Sequence, residues 1–380
     1  MGLLLILTGI APLFAIDVRI TPPEFRGKDT PPGLSTEISL DDFERTLNEQ
    51  IRDSFIGIQA EIDRQVKDID SDPQKLIGAF ADSSVFSSDG ASQRGYGGYK
   101  RFAVTFGSMI GFQLPASPFS MADEIEHIGG RLEDEHDIKL GVNPQVINAQ
   151  LGINTSRFLL KDLYLGLKFG FMKLDINDIS FDSFSLGGMG SYQLMANKIF
   201  ASGLFLWRGI NVRTGLIYQR TNFTYDFPLD TMYEEIAVTY EVGSNEFSYP
   251  IGVAVKPKLN LNFNVNTVTI PLEAMTSIRL FWFMNLAFGL GADVAFGRAE
   301  LNVSGSANAD INCGTLDTYL EQTKSAGLWV NMGGANGPSL FNPKIMTALG
   351  FSLGPVIIDI PVTFYLDHGY NFGVTLGAAW

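Results

Sequence analysis

From Tyr99 to the last residue, hydrophobic and polar positions alternate with a period of two, whereas one earlier stretch repeats every three to four residues. A period of two marks strands with one apolar face and one polar face. In the last eleven residues Tyr370, Phe372, Val374, Leu376, Ala378 and Trp380 share one face, opposite Asn371, Gly373, Thr375, Gly377 and Ala379. Leu163, Leu165, Leu167, Phe169 and Phe171 oppose Tyr164, Gly166, Lys168 and Gly170 in the same way. Similar patterns cover Phe102–Phe112, Ile147–Ile153, Phe184–Leu194 and Val212–Tyr218. Apolar-out, polar-in strands of about ten residues are what a transmembrane β-barrel requires, so the polar faces are expected to look inward.

One segment breaks the rhythm. Leu259, Leu261, Phe263 and Val265 oppose Lys258, Asn260, Asn262 and Asn264, after which the apolar positions switch to Val268, Ile270, Leu272, Ala274 and Ile278. A one-residue slip means a bulge in one strand or a turn between two. An even strand count, with both termini on the side of the short turns, selects the bulge. Strands are then expected near 99–113, 146–155, 163–173, 183–195, 210–224, 257–278, 284–299, 344–354, 356–366 and 370–380. The count is ten, within a range of eight to fourteen, since hairpins hidden in long loops would raise it. Segments 114–145, 226–250 and 300–343 become long extracellular loops.

The N-terminal quarter reads differently. Residues 1–15, MGLLLILTGIAPLFA, form an apolar run read as a signal peptide without a basic leader, cleaved near Ala15. No cysteine lies near that site, so lipid anchoring of the mature end is not expected. Residues 16–98 are expected to form a helical segment, either periplasmic or plugging the barrel. Ser39 with Asp42 is an N-cap pair, and Leu40, Phe43, Leu47, Ile51, Phe55, Ile58, Ile62, Val66 and Ile69 form one helical stripe ended by Pro73. The run from Leu76 to Gly98 is rich in Ala, Ser and Gly, suited either to a narrow lumen or to a linker.

Composition fits a barrel at 99–380. The chain is 46% hydrophobic and 18% charged, with a mean hydropathy of +0.12, yet after Ala15 it holds no apolar run long enough for a membrane helix. Forty glycines and twenty-nine phenylalanines suit curved strands with aromatic girdles. A net charge of −14 argues against nucleic acid, and the single cysteine, Cys313, excludes an intramolecular disulfide.

Candidate chemistry is sparse. His127 and His136 lie in an acidic run without zinc or EF-hand spacing, and Asp367-His368-Gly369 reads as an ordinary turn, although an Asp-His pair at a barrel rim invites comparison with outer-membrane proteases. No nucleophile elbow, phosphate loop or dinucleotide fingerprint appears. The chain is therefore read as no enzyme, with no cofactor, metal or catalytic residue assigned. Ionisable residues expected to line the lumen are Arg101, Lys168, Arg213, Lys256, Lys258, Glu273, Arg279, Asp293 and Asp359. Charges facing lipid cost a few kcal/mol, whereas inside a barrel they can pair. They set pore selectivity or close a filled barrel by salt bridges.

The terminal strand, with Tyr370, Phe372, Val374, Leu376 and Trp380, resembles the C-terminal assembly signal of Gram-negative outer-membrane β-barrels. Export signal, amphipathic helix, small-residue segment and acidic barrel together resemble spirochaetal outer-membrane proteins of the surface-adhesin type, with some likeness to fatty-acid transporter-like barrels. Ser92-Gln93-Arg94-Gly95-Tyr96 and Pro271-Leu272-Glu273-Ala274-Met275 carry that likeness. The resemblance implies an integral outer-membrane protein whose partners are lipid and the barrel-assembly machinery. The transporter-like family has a plug before fourteen strands, from which a count of ten departs. Two functions stay open: a passive channel for small or hydrophobic solutes gated by the N-terminal segment, or a surface protein whose loops bind host molecules.

Overall fold

The computed structural model describes residues 15–31, 38–68, 73–89, 99–114, 141–200, 204–228, 232–242, 244–256, 258–366 and 369–380. Strands β1 (Ala15–Thr21) and β2 (Glu24–Gly27) come first, followed by helices α1 (Leu40–Asp68) and α2 (Pro73–Asp89). The strands after them are β3 (Phe102–Gln113), β4 (Gly141–Asn154), β5 (Leu163–Ile176), β6 (Ile179–Gln193), β7 (Lys198–Phe200) and β8 (Phe205–Pro228). Next come β9 (Met232–Val242), β10 (Asn245–Val255), β11 (Lys258–Leu280), β12 (Met284–Asn312), β13 (Leu320–Lys324) and β14 (Ala326–Asn336). The chain ends with β15 (Phe341–Leu353), β16 (Val356–Tyr365) and β17 (Gly369–Ala379).

Ten of these strands close into an antiparallel ring, in the order β3-β4-β5-β6-β8-β11-β12-β15-β16-β17 and back to β3. Closure leaves no ladder of backbone groups unpaired in hydrocarbon. At the seam β17 pairs with β3 from Gly369↔Gln113 to Ala379↔Ala103, and the Trp380 carbonyl accepts from the backbone N–H groups of Arg101 and Phe102. The protein is thus a ten-stranded outer-membrane β-barrel with an N-terminal helical segment, the class expected from the alternation. Its outer wall is apolar and exposed: Leu167 is 61% exposed, Leu216 56% and Leu290 65%. Lys168, Lys344, Asp293 and Asp359 are buried inside. A water-soluble fold has the opposite arrangement.

The break in rhythm in β11 is not a bulge. Pairing with β12 runs without a shift from Lys258↔Ser306 to Leu280↔Met284, and odd-numbered residues face inward throughout the strand. What changes is the surroundings. Toward Leu280, inward residues such as Thr267, Thr269 and Glu273 are polar and outward ones such as Ile270 and Leu272 are apolar. Toward Lys258, Phe263 and Val265 point inward to a hydrophobic core, and Asn262 and Asn264 point outward. The polar face there looks outward, contrary to the expectation. The same inversion falls between Tyr218 and Arg220 on β8, Phe296 and Arg298 on β12, and Phe171 and Lys173 on β5. These levels trace one edge of the lipid belt, beyond which the wall continues as an ordinary sheet with its core inside.

That extension explains the long segments. Segment 226–250 is largely the hairpin of β9 and β10, whose strand β10 pairs with the tip of β12. Segment 300–343 holds the end of β12, β13 and β14. In both, the apolar partners lie in the N-terminal residues: β1 pairs with β14 and β2 with β13, while β9 and β10 pack against α1. This end of the barrel is called the loop end; the other, with Trp380 and the connections 155–162, 281–283 and 354–355, is the turn end. Segment 115–140, with His127 and His136, lies outside the described residues, as do Asp367 and His368.

Leu216→Arg and Asn262→Arg both alter outward positions, on opposite sides of the inversion. The first is expected to cost roughly 2–4 kcal/mol and to lower the fraction of heat-modifiable, inserted barrel. The second should change urea midpoints by less than about 0.5 kcal/mol. Equal costs would remove the belt edge placed at this level.

Candidate functional site

Helix α2 stands inside the loop-end half of the ring. Pro73 opens it at the first helical position, where its missing N–H costs nothing. Four serines in the body of a helix are poor formers on their own. Here Ser83, Ser87 and Ser88 return their hydroxyls to the carbonyls three residues back, at 2.9, 3.0 and 2.7 Å, so they enter a buried helix satisfied. Small residues also let the helix lie against the wall. A Cβ on Gly111 of β3 would come 2.5 Å from the Ser87 nitrogen, and one on Gly141 or Gly369 would strike the Ala79 carbonyl or the Phe86 ring.

Its contacts reach strands all round the ring. Phe80 stacks on Phe263 at 4.3 Å and Phe86 on Tyr365 at 3.9 Å. The Asp82 carboxylate accepts from the Ser339 N–H and hydroxyl at 2.6 and 2.9 Å. Gln219 donates to the Ser87 hydroxyl at 3.0 Å, Asn371 donates to the Phe86 carbonyl, and Lys168 donates to the Ser88 carbonyl. The lysine cation at the helix C-terminus also opposes the helix dipole favourably. After α2 the chain resumes at the turn end with Tyr99, whose ring meets Tyr164 at 5.0 Å and whose carbonyl accepts from Asn154.

Beside α2 the bore is closed by its own side chains. β4 and β8 are separated in the ring by β5 and β6, yet Asn143 donates to Thr221 at 2.8 Å and Gln145 to Gln219 at 3.0 Å. Lys344 lies between Glu273 and Asp293, 2.6 Å from each. Arg213 pairs with Glu273 and the Tyr365 hydroxyl donates to Asp293 at 3.0 Å. Taking one member from such a dehydrated cluster typically costs about 3–5 kcal/mol. Among the nine ionisable residues expected in the lumen, Lys168, Arg213, Glu273, Asp293 and Asp359 are buried on inward faces, and Arg279 is half-buried on the inward face at the turn end. The other three are not in the lumen. Arg101 is exposed beneath β3, Lys256 is exposed in the connection from β10 to β11, and Lys258 lies on the outward face beyond the belt. Lys344 was missed because it opens an expected strand, although its alternation with Ile345 already placed it inward. Tyr370, Phe372, Val374, Leu376 and Trp380 share the outward face, with the Trp380 ring 6.2 Å from Phe102.

A second core sits at the loop end. Ser39 caps α1, accepting the Asp42 N–H at 3.1 Å and donating to its carboxylate at 2.7 Å; this hydroxyl and then Arg45 hold the Asp42 carboxyl below its usual range. The stripe of Phe43, Leu47, Ile51 and Phe55 is buried against Ile236, Val238 and Tyr240 of β9, Ile251 and Val253 of β10, and Cys313, Leu316 and Leu320. Burial of each such side chain is worth about 1.5–3 kcal/mol. Amides on α1 fix its register. Asn48 exchanges two hydrogen bonds with the Phe25 backbone, both 2.8 Å, and Gln50 does the same with Thr239 at 2.7 and 2.8 Å. N-terminal elements and the former loops therefore make one folded head.

The site is a barrel whose bore holds a helix and whose loop end carries a head built from the N-terminal elements and the β9–β10 and β13–β14 segments. Outer-membrane β-barrel proteins are the class this defines. The chain belongs to the Lsa36-like family, whose model matches residues 33–380. No curated protein matches it. Among solved structures it is similar to the translocator domain of the autotransporter NalP from Neisseria meningitidis, at 9% identity, covering 85% of this chain and 98% of that one with a TM-score of 0.28. It is also similar to the CymD monoaromatic hydrocarbon channel, at 9% identity, 74% and 89% coverage and a TM-score of 0.24. A FadL homologue from Pseudomonas aeruginosa shows 8% identity, 80% and 95% coverage and a TM-score of 0.23.

Two outcomes check this geometry. Gly111→Leu should drive α2 from its seat, raising single-barrel conductance in planar bilayers at least several-fold over the parent; an unchanged trace would mean that α2 does not control the bore. Burial pushes the Cys313 thiol up to about 11, with Asp317 adding to the shift. Because the folded value lies above the unfolded one, the resulting stabilisation is present at neutral pH and lost as pH rises through about 11. At pH 7.5 Cys313 should resist maleimide in the folded protein and react within minutes in Leu47→Asp. Rapid labelling of the parent would mean that α1 does not cover it.

Proposed function

We propose that this protein is a surface-display protein of the outer membrane: the barrel anchors it, α2 seals the bore, and the head meets molecules outside the cell. The observation that carries the reading is the chain path. N-terminal strands and α1 share a core with β9, β10, β13 and β14 at the loop end, α2 lies inside the ring, and Tyr99, the next described residue after it, lies at the turn end. Bacterial barrels place long loops outside and short turns in the periplasm, which puts the head outside. A head of this kind gives a partner a folded surface rather than flexible loops, so less ordering entropy is lost on contact.

A gated channel is the second reading, favoured by the charged cluster of Arg213, Glu273, Lys344 and Asp293 in the bore. It needs α2 to leave a seat made of aromatic stacks and buried hydrogen bonds. The display reading needs no such step. Nothing in either reading calls for catalysis.

An epitope inserted between Asp29 and Thr30, in the exposed link before α1, separates the sides of the membrane. An antibody applied to intact cells should label it to the level seen after lysis. Labelling only after lysis would put the head in the periplasm and end the display reading. In the same cells, a chain lacking residues 16–68 should still insert but lose attachment to host surfaces by at least tenfold if the head carries it.

A further inference from the structure

Beyond the lipid belt, the outward face of the wall has an unusual make-up. Paired positions run across neighbouring strands in rows: Asn222, Asn264 and Glu300; Thr224, Asn262 and Asn302; Asp226, Asn260, Ser304 and Asn331; then Lys258, Ser306, Trp329 and Arg19. A merely solvated strand surface carries long, mobile lysines and glutamates. Here the side chains are mostly short amides and hydroxyls, held by cross-strand bonds such as Asn262 to Thr224 at 3.0 Å and Asn260 to Asp226 at 2.5 Å. Asp226, Asn260, Ser304, Lys258 and Ser306 of the last two rows line an open groove of about 520 Å³, with Asp178 of the turn between β5 and β6 and Trp329 also lining it. The Arg19 guanidinium lies 5.5 Å from the centre of the Trp329 ring.

We propose that this groove binds a saccharide. An indole face packs against the apolar C–H face of a pyranose, while amides, carboxylates and hydroxyls in fixed rows donate to and accept from its ring hydroxyls. The carboxylates of Asp178 and Asp226 share the groove with the one ammonium of Lys258, so it does not select a polyanion, and the volume lies within the usual range of small-ligand sites, roughly 300–1,000 Å³. Its height fits the same chemistry. Asp226 is six residues past Arg220, where β8 leaves the belt, or about 20 Å along the strand at ~3.3 Å per residue. With the usual strand tilt this is roughly 15 Å above the hydrocarbon. On the outer face that is the level of glycolipid sugars, and soluble glycoconjugates reach it from above. The inference rests on the display reading for its biological side, but the groove exists whichever way the protein faces.

The test uses the purified full-length protein in detergent, titrated by calorimetry with two probes: delipidated O-polysaccharide from a Gram-negative lipopolysaccharide, and N-glycans released from serum glycoproteins. Saturable binding of at least one is expected, weakened tenfold or more by Trp329→Ala and by Asp226→Ala, with insertion and heat-modifiable migration unchanged. Binding of the polysaccharide alone assigns the groove to membrane glycolipid, and binding of N-glycans alone assigns it to glycoproteins. If neither probe binds, or if both variants bind as the parent does, the proposal is overturned. Should Trp329→Ala fail to fold, Asp226→Ala decides. A failure here leaves the epitope result untouched, so the two readings fall separately.

Discussion

Every part of this protein depends on the rule that a backbone N–H or C=O in hydrocarbon must have a partner, since each unmet group costs several kcal/mol. The rule forces the ring shut between β3 and β17, the first and last strands of the barrel. Closure creates an inside, and side chains reach across it to one another. The polar residues that cannot face lipid must then satisfy one another. Lys344 between two carboxylates, Gln145 meeting Gln219 across the bore and Lys168 on the end of α2 are all answers to that demand.

The same strands serve two solvents. Within the belt the rule is apolar outside and polar inside, and past it the rule reverses without any break in pairing. β11 and β12 each pass through the reversal as one continuous strand, which lets the membrane anchor and the head share a single sheet. Contacts made by the head are therefore transmitted to the barrel through covalent strands rather than through a flexible linker. α1 completes the head because the reversed face needs an apolar cover that the barrel residues do not supply alone.

Much of this was legible in the alternation. The ring of ten strands follows from period-two runs and parity, and the stripe on α1 follows from Phe43, Leu47, Ile51 and Phe55. What escaped has a common cause. The phase change after Val265 reads as a defect if a strand is assumed to have one environment, and only the packing of α2 against Phe263 shows that the environment changes instead. Lys256 and Lys258 were placed in the lumen by the same assumption. The α2 serines look like linker in isolation because the barrel wall, with glycine at 111, 141 and 369, is what makes a small-residue helix worth burying. Hidden strands β10 and β14 pair with residues far away in sequence, on β12 and β1, and no local pattern announces such partners.

The passage of the chain through the ring fixes an order of events. The seam joins the first barrel strand to the last one synthesised, so the bore does not exist as a closed tube until the whole chain is available. A folded head, with a 29-residue helix laid across a hairpin, is far wider than that bore. On the display reading residues 15–68 must therefore pass the plane of the ring while unfolded, or before the seam zips, and α2, which follows them in the chain, seats behind them. Once both ends have set, the helix is held like a thread knotted above a bead and sewn into its rim below. To leave its seat it must give up its aromatic stacks and buried hydrogen bonds.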